Sequence, residues 1–281
     1  MQSHPSIIDR WSGAAPFWEK HRDVIRQMFA PVTQALVEDA HIAGGHAVLD
    51  VATGPGEPAL SVAALVAPEG SVVGIDPIPQ MVEAARRAAD RGNVRNAQFE
   101  VAFADSLPFP TDRFDAVISR FGAMFFPSPL DALREIMRVL KPERTASFAV
   151  WGPADTNPFF HVLSRVIEQY VEPQPVPEAG DPFRYATPGK LRDGLRDAGA
   201  LNPSERVFEF SIIAPVSVEE FFTLRVEMSE RLRESVAKLS TAQLADVKRQ
   251  AIEGLRKYST NEGIDIPAQV LIVSGQAPHA A

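Results

Sequence analysis

Val48-Leu49-Asp50-Val51-Ala52-Thr53-Gly54-Pro55-Gly56-Glu57-Pro58 is the stretch whose reading decides the fold. An apolar run enters a turn with two glycines and passes at once into a helical pattern. Glycine lets a backbone turn tightly and approach a ligand where a Cβ would collide. The helix N-terminus beyond offers unpaired N–H groups to polar or anionic atoms. The same residues satisfy the looser dinucleotide pattern, as Gly54-x-Gly56-x-x-Ala59, and a purely structural tight turn explains them too.

Working outward, apolar runs at 47–52, 71–76, 97–102, 114–119 and 145–151 alternate with helical patterns near 58–66, 79–91 and 129–140. Alternation of this kind means βαβ units and a parallel sheet covered on both faces. In the third helix Leu130, Leu133, Met137 and Leu140 form an apolar stripe, with Ser128 as N-cap and Pro129 in the first position. Upstream, Ile25, Met28, Phe29, Val32 and Leu36 share one helix face, and Pro31 separates two helices or opens the second.

After Trp151 the chain becomes rich in proline and aromatic residues, with a helix expected around 160–170. A further helix should start at Thr187-Pro188, bury Leu191 and Leu195, and stop at Gly199. Strands are expected at 206–214 and 267–275. Between them two helices open on capping-box patterns, Ser217 with Glu220 and Ser240 with Gln243.

The 281 residues carry a formal net charge of -8, 45% hydrophobic content and no cysteine. The acidic balance argues against a nucleic-acid surface, which needs clustered Lys and Arg. Disulfides, thiolate metal sites and a cysteine nucleophile are excluded. No run approaches the roughly 20 apolar residues of a membrane span, and the first ten residues lack a signal-peptide core, so a cytoplasmic location is expected. His21, His46 and His161 show no ligand spacing, so no metal is expected.

Two acidic residues follow later strands. Val72-Val73-Gly74-Ile75-Asp76 places Asp76 20 residues after Gly56, where a carboxylate can accept from ribose hydroxyls or simply cap a helix. That spacing suits a nucleoside-binding methyltransferase or a nicotinamide oxidoreductase. Phe99-Glu100-Val101-Ala102-Phe103-Ala104-Asp105, followed by Leu107-Pro108-Phe109-Pro110 and Phe114-Asp115-Ala116-Val117-Ile118, favours the first. With these motifs in order, the chain resembles class I S-adenosylmethionine (SAM)-dependent methyltransferases, in particular the small-molecule group similar to ubiquinone/menaquinone-biosynthesis C-methyltransferases. The resemblance covers about 44–151, including Arg120-Phe121-Gly122-Ala123-Met124-Phe125-Phe126-Pro127 and Leu133-Arg134-Glu135-Ile136-Met137-Arg138-Val139-Leu140-Lys141-Pro142. Two departures stand out: Glu143-Arg144 replaces a frequent Gly-Gly, and Glu57-Pro58 constrains the turn.

The resemblance implies a Rossmann-like α/β fold: a seven-stranded, mostly parallel sheet with helices on both faces, an antiparallel last strand and a small helical lid. Residues 1–43 would form an N-terminal helical cap and 44–151 the SAM-binding core. Residues 152–186 would contribute to an acceptor pocket. Residues 187–281 would complete the sheet, with a helical lobe at about 217–258. It further implies that Asp50, Ala52, Thr53, Gly54 and Gly56 surround the methionine part of SAM. Asp76 and Pro77 would lie at the ribose, with Ile78, Met81, Ala104, Asp105 and Ser106 around adenine, although Met81 serves helix-to-sheet packing equally well. Ser119 would sit beside the transferred methyl group.

Candidate acceptor contacts are Phe17, Trp18, Phe121, Phe125, Trp151 and Phe159, whose aromatic character suits a planar or apolar acceptor. His21 or His161 would serve as a general base for an oxygen acceptor. The expected partner is a small molecule, with the protein a monomer or homodimer. Two other readings remain at this point: a SAM-binding protein that performs no methyl transfer or a different reaction, and more remotely an NAD(P)-dependent oxidoreductase.

Overall fold

A computed structural model describes residues 5–173 and 175–279. Three helices lead: α1 (Pro5–Lys20), α2 (Arg22–Met28) and α3 (Ala30–Asp39). The core follows as β1 (Ala47–Val51), α4 (Ala59–Val66), β2 (Ser71–Asp76), α5 (Pro79–Arg91), β3 (Ala97–Val101), β4 (Phe114–Arg120), α6 (Pro129–Val139) and β5 (Leu140–Trp151). Beyond it come α7 (Pro158–Ile167), α8 (Lys190–Asp197) and β6 (Leu201–Ala214). The last elements are α9 (Val218–Met228), α10 (Glu230–Ala237), α11 (Thr241–Arg256), β7 (Ser259–Thr260) and β8 (Gly263–Gln276).

The main sheet path runs β3-β2-β1-β4-β5-β8-β6, with β7 paired only to β8. From β3 to β5 every pairing is parallel, while β8 runs antiparallel to both β5 and β6. The seven-stranded expectation therefore holds for this path, and the two-residue β7 makes the sheet eight-stranded. Strand order reverses between β2-β1 and β4, so a crevice opens at the carboxyl ends of β1 and β4, where open α/β sheets bind ligands.

Local sequence explains these elements. Val48, Leu49 and Val51 are fully buried because β1 is central and covered on both faces. In α5 the face toward the sheet consists mainly of Val82, Ala85 and Ala89, small enough for close helix-to-sheet contact. Ile25, Met28, Phe29, Val32 and Leu36 are all buried, and Pro31 lies in the first turn of α3. Each such large side chain stabilises by roughly 1.5–3 kcal/mol.

Several elements differ from expectation. Leu130 is 37% exposed; Ala132, Leu133, Ile136 and Met137 make the buried face of α6. Ser128 occupies the N-cap position but makes no capping hydrogen bond. β5 begins at Leu140 because Leu140 pairs with Phe114 before a bulge carries Lys141–Arg144 past Asp115. Lys141 and Arg144 both reach the Asp115 carboxylate, at 2.8 and 3.6 Å. β6 begins at Leu201 rather than at the expected Arg206, with Asn202-Pro203 in a bulge on an edge strand, where proline is tolerated. Both expected capping boxes form, yet a third helix, α10, stands between them and is capped by Ser229.

α1 bridges distant parts of the chain. Arg87 on α5 pairs with Glu19 at 2.7 Å. Trp18 Nε1 donates to the Met228 carbonyl at 3.2 Å, and Lys20 pairs with Glu227 at 2.7 Å. Arg10 pairs with Glu230 at 2.9 Å. No helix among the described residues is long and apolar enough to cross a membrane.

Candidate active site

The turn after β1 divides its work between two glycines. Gly54 has φ +56°, and a Cβ built there meets nothing within 4 Å, so the backbone faces open space. Gly56 has φ +107°, and its Cβ would lie 3.0 Å from Leu60 and 3.3 Å from Ala85. Gly54 therefore opens the crevice, whereas Gly56 lets the turn seat against α4 and α5. Ala52 also takes a positive φ of 61°, and Phe121 one of 64°. These strained residues follow β1 and β4 on either side of the sheet crevice.

Asp76 is buried at the end of β2. Its Oδ2 accepts from the Gly54 N–H at 2.9 Å and its Oδ1 from the Ile78 N–H at 3.0 Å. Burial pushes its carboxyl up to about 6, against the lowering effect of those two donors. Each oxygen keeps a further lone pair for a hydroxyl donor. Asp50 is more deeply enclosed: its Oδ2 accepts from Thr53 Oγ1 at 2.6 Å and from the Ala59 N–H at 3.0 Å. Its Oδ1 is buried with no hydrogen-bond partner, and burial pushes its carboxyl up to about 7.

The crevice encloses about 960 Å³ of open space. Its floor includes Ala52, Thr53, Gly54, Asp76, Pro77 and Ile78, and Met81 and Ala104 also line it. Asp50, Gly56, Asp105, Ser106 and Ser119 are not among the lining residues. Asp50 and Gly56 support the turn from behind, and Ser119 is buried with its hydroxyl donating to the Val51 carbonyl at 2.8 Å. Asp105 is half-buried and Ser106 exposed.

A second cavity of about 1480 Å³ adjoins the first and shares Trp11, Trp18, Phe29, Phe121 and Phe125 with it. Trp151 and Phe159 line only the second. The shared aromatics pack edge to face: Trp11 against Phe125 at 5.2 Å and Phe29 against Phe121 at 5.1 Å. Phe121 stacks on Trp151 at 4.4 Å with the planes 3° apart. Phe17 lines neither cavity; it lies 4.8 Å from the Arg233 guanidinium.

Neither candidate base lines a cavity. His21 is engaged with Glu227 at 2.5 Å. His161 is held below the ordinary imidazole value by burial, with Arg165 and Lys257 adding to the effect. Among the described residues, no group of three or more His, Asp or Glu side chains could hold a metal ion.

Sequence reasoning missed Trp11, Ile25, Phe29 and Arg120 as lining residues. Arg120 had a usable signal, since it follows Ser119 at the carboxyl end of a central strand. It donates to Thr33 Oγ1 at 2.8 Å and to the Glu57 carbonyl at 3.3 Å, tying α3 to the glycine turn. Trp11 had none: only the path of α1 brings it to the crevice.

Residues 48–143 match a family model described as a methyltransferase domain. The chain aligns with an uncharacterised methyltransferase, YcgJ of Bacillus subtilis, at 36% identity over 38% of this chain and 42% of that protein. It aligns at 40% identity, again over 38% and 42%, with the ubiquinone/menaquinone-biosynthesis C-methyltransferase UbiE of Ectopseudomonas mendocina. The aligned stretch thus spans well under half of these relatives. Among solved structures, YcgJ superposes with a TM-score of 0.58 at 19% identity, covering 89% of this chain and all of that one. A putative methyltransferase of Haloferax volcanii, solved with its Trm112 activator, gives 0.57 at 22% identity over 99% and 100%. The [4+2]-cyclase SpnF gives 0.56 at 19% identity over 96% and 97%. At these identities the three structures establish a shared fold.

Proposed function

We propose that this protein binds SAM in the crevice beyond β1, β2 and β4 and transfers its methyl group to a small planar acceptor in the adjoining aromatic cavity. The observation that carries this reading is Asp76, buried at the crevice with one lone pair on each oxygen beyond those accepting from Gly54 and Ile78. A ribose diol is the ligand group that suits such a carboxylate. The surroundings fit the remainder of the cofactor. Open space beyond Gly54 leaves room for the amino-acid portion, and Ile78, Met81, Phe103 and Ala104 offer apolar surface to a purine.

Bound there, SAM supplies a methyl group already activated on a sulfonium sulfur. The protein's part is to orient and to exclude water. Trp11, Phe29, Phe121 and Phe125, shared by both cavities, present apolar faces where the two ligands meet. These residues would hold an acceptor atom in line with the sulfonium methyl group, whose transfer would break the carbon–sulfur bond. Such alignment supplies up to roughly 7–11 kcal/mol of the barrier. Aromatic faces beside a cation contribute about 0.5–2 kcal/mol more.

Calorimetric titration with SAM tests the cofactor, and methyl-labelled SAM with a panel of phenols and quinols tests the transfer. Binding by the natural chain and its loss in Asp76→Ala support the reading. Binding of NADH in place of SAM overturns it. Retention of SAM without label transfer to any acceptor points instead to a different use of the same cofactor.

A further inference from the structure

The second cavity holds a charge that the proposed transfer leaves unexplained. Arg225 on α9 is only 4% exposed and lines this cavity. Its guanidinium lies 3.6 Å from the centre of the Phe159 ring and 5.4 Å from that of Phe160. Nε donates to the Phe159 carbonyl at 3.1 Å. No carboxylate among the described residues forms an ion pair with it. Burial alone depresses its basicity, and no acidic neighbour opposes the shift.

A buried cation without a counter-ion is costly, and an arginine presents five N–H donors in a fork that matches a carboxylate. Only one of those donors, on Nε, is committed to the protein. The other charges around the cavity are already engaged or exposed. Arg10 pairs with Glu230 at 2.9 Å, Asp181 accepts from the Phe183 N–H at 2.8 Å, and Glu168 and Arg231 are exposed. Phe159 and Phe160 stand beside the guanidinium, and Trp151 and Phe121 extend the aromatic lining from them.

We infer that the second cavity receives an aromatic carboxylate, with its ring among these aromatic side chains and its carboxylate on the free fork of Arg225. As the methyl acceptor it would carry its negative charge at the Arg225 end and its reacting atom toward the shared aromatics. That assignment as acceptor rests on the function proposed above; the anion site stands on the cavity itself.

All three tryptophans of the chain, Trp11, Trp18 and Trp151, line this cavity, so intrinsic fluorescence reads its occupancy directly. The 281-residue protein is titrated with naphthoate and with its neutral amide, naphthamide, without SAM. Naphthoate is expected to quench with an affinity at least about tenfold above that of naphthamide, the margin of a charge-assisted bidentate contact. In Arg225→Met that margin should vanish while naphthamide binding stays within about twofold. Should Arg225→Met fail to fold, the ratio measured on the natural chain decides alone. Equal binding of the two ligands, quenching by neither, or an unchanged margin in a folded Arg225→Met would overturn the inference. SAM calorimetry on the same samples separates the two claims: naphthoate selectivity without SAM binding sinks the methyltransferase reading and leaves the anion site intact.

Discussion

Replacing Asp50 by asparagine should change how stability depends on pH, by an amount that follows from the burial of this one side chain. Its carboxyl stands at about 7 in the folded protein against 3.8 for an ordinary aspartate, because desolvation outweighs the Thr53 and Ala59 donors and the positive charge of Arg120. A raised folded value favours the protonated form, so this contribution to stability is full below pH 3.8 and is lost as pH rises through about 7. About two of those three units fall between pH 5 and 8.5, or about 2.7 kcal/mol at 1.36 kcal/mol per unit. Asparagine is nearly isosteric: its carbonyl oxygen can keep the Thr53 and Ala59 bonds, and its amide takes the place of the partnerless Oδ1. The two new amide hydrogens have no acceptor, which costs about 1–3 kcal/mol at every pH. Asp50→Asn should thus be less stable than the natural protein at pH 5 and close to it, or more stable, at pH 8.5. Urea unfolding of both proteins at pH 5, 7 and 8.5 measures this, and the comparison cancels Asp76, which titrates in the same direction in both. A stability difference that stays constant to within about 0.5 kcal/mol would refute the picture of a desolvated, proton-holding Asp50.

Gly54→Ala forces a side chain to φ +56° and projects a Cβ into the crevice. It should cost about 1–2 kcal/mol in stability and weaken SAM binding, as read by thermal melts and calorimetry on one sample. Glu143 takes φ +63°, so Glu143→Gly should relieve strain and be neutral to stabilising by up to about 1 kcal/mol in denaturant titration. His161→Ala should leave the pH–rate profile of any methyl transfer unchanged, because His161 lines neither cavity.

The βαβ core was legible because its signals are local. Strand runs, Pro79 and the glycine turn each dictate structure within a few residues, and β2 and α5 stand at their expected bounds. The bulges in β5 and β6 were hidden because Lys141–Arg144 and Asn202-Pro203 acquire their conformations from partner strands rather than from their own composition. The Gly-Gly departure at Glu143-Arg144 resolves in the same place: Glu143 adopts the left-handed conformation that glycine would take freely, while Arg144 joins Lys141 at Asp115. Among the candidate site residues, Ala52, Thr53 and Gly54 on the turn and Asp76 at the end of β2 meet at one crevice, since the parallel pairing of β1 with β2 places them there. Of the aromatic candidates, Trp18, Phe121 and Phe125 line both cavities, Trp151 and Phe159 only the second and Phe17 neither, an outcome of how α1, α7 and α9 dock that no short-range pattern records. For the same reason Arg225 carried no signal: a single arginine in a charged helix is ordinary until its surroundings are known.

The strap of α1 across the late helices has a consequence for the life of the chain. Trp18 waits for a partner 210 residues further on. At a synthesis rate of about 5–20 residues per second, that interval is roughly 10–40 s. Through it the sheet can begin to form and α1 can pack on α5, while the side of α1 that meets α9 stays uncovered. The wall that α1 shares with α9 is completed only after Met228 has been synthesised, although α1 can dock on α5 much earlier.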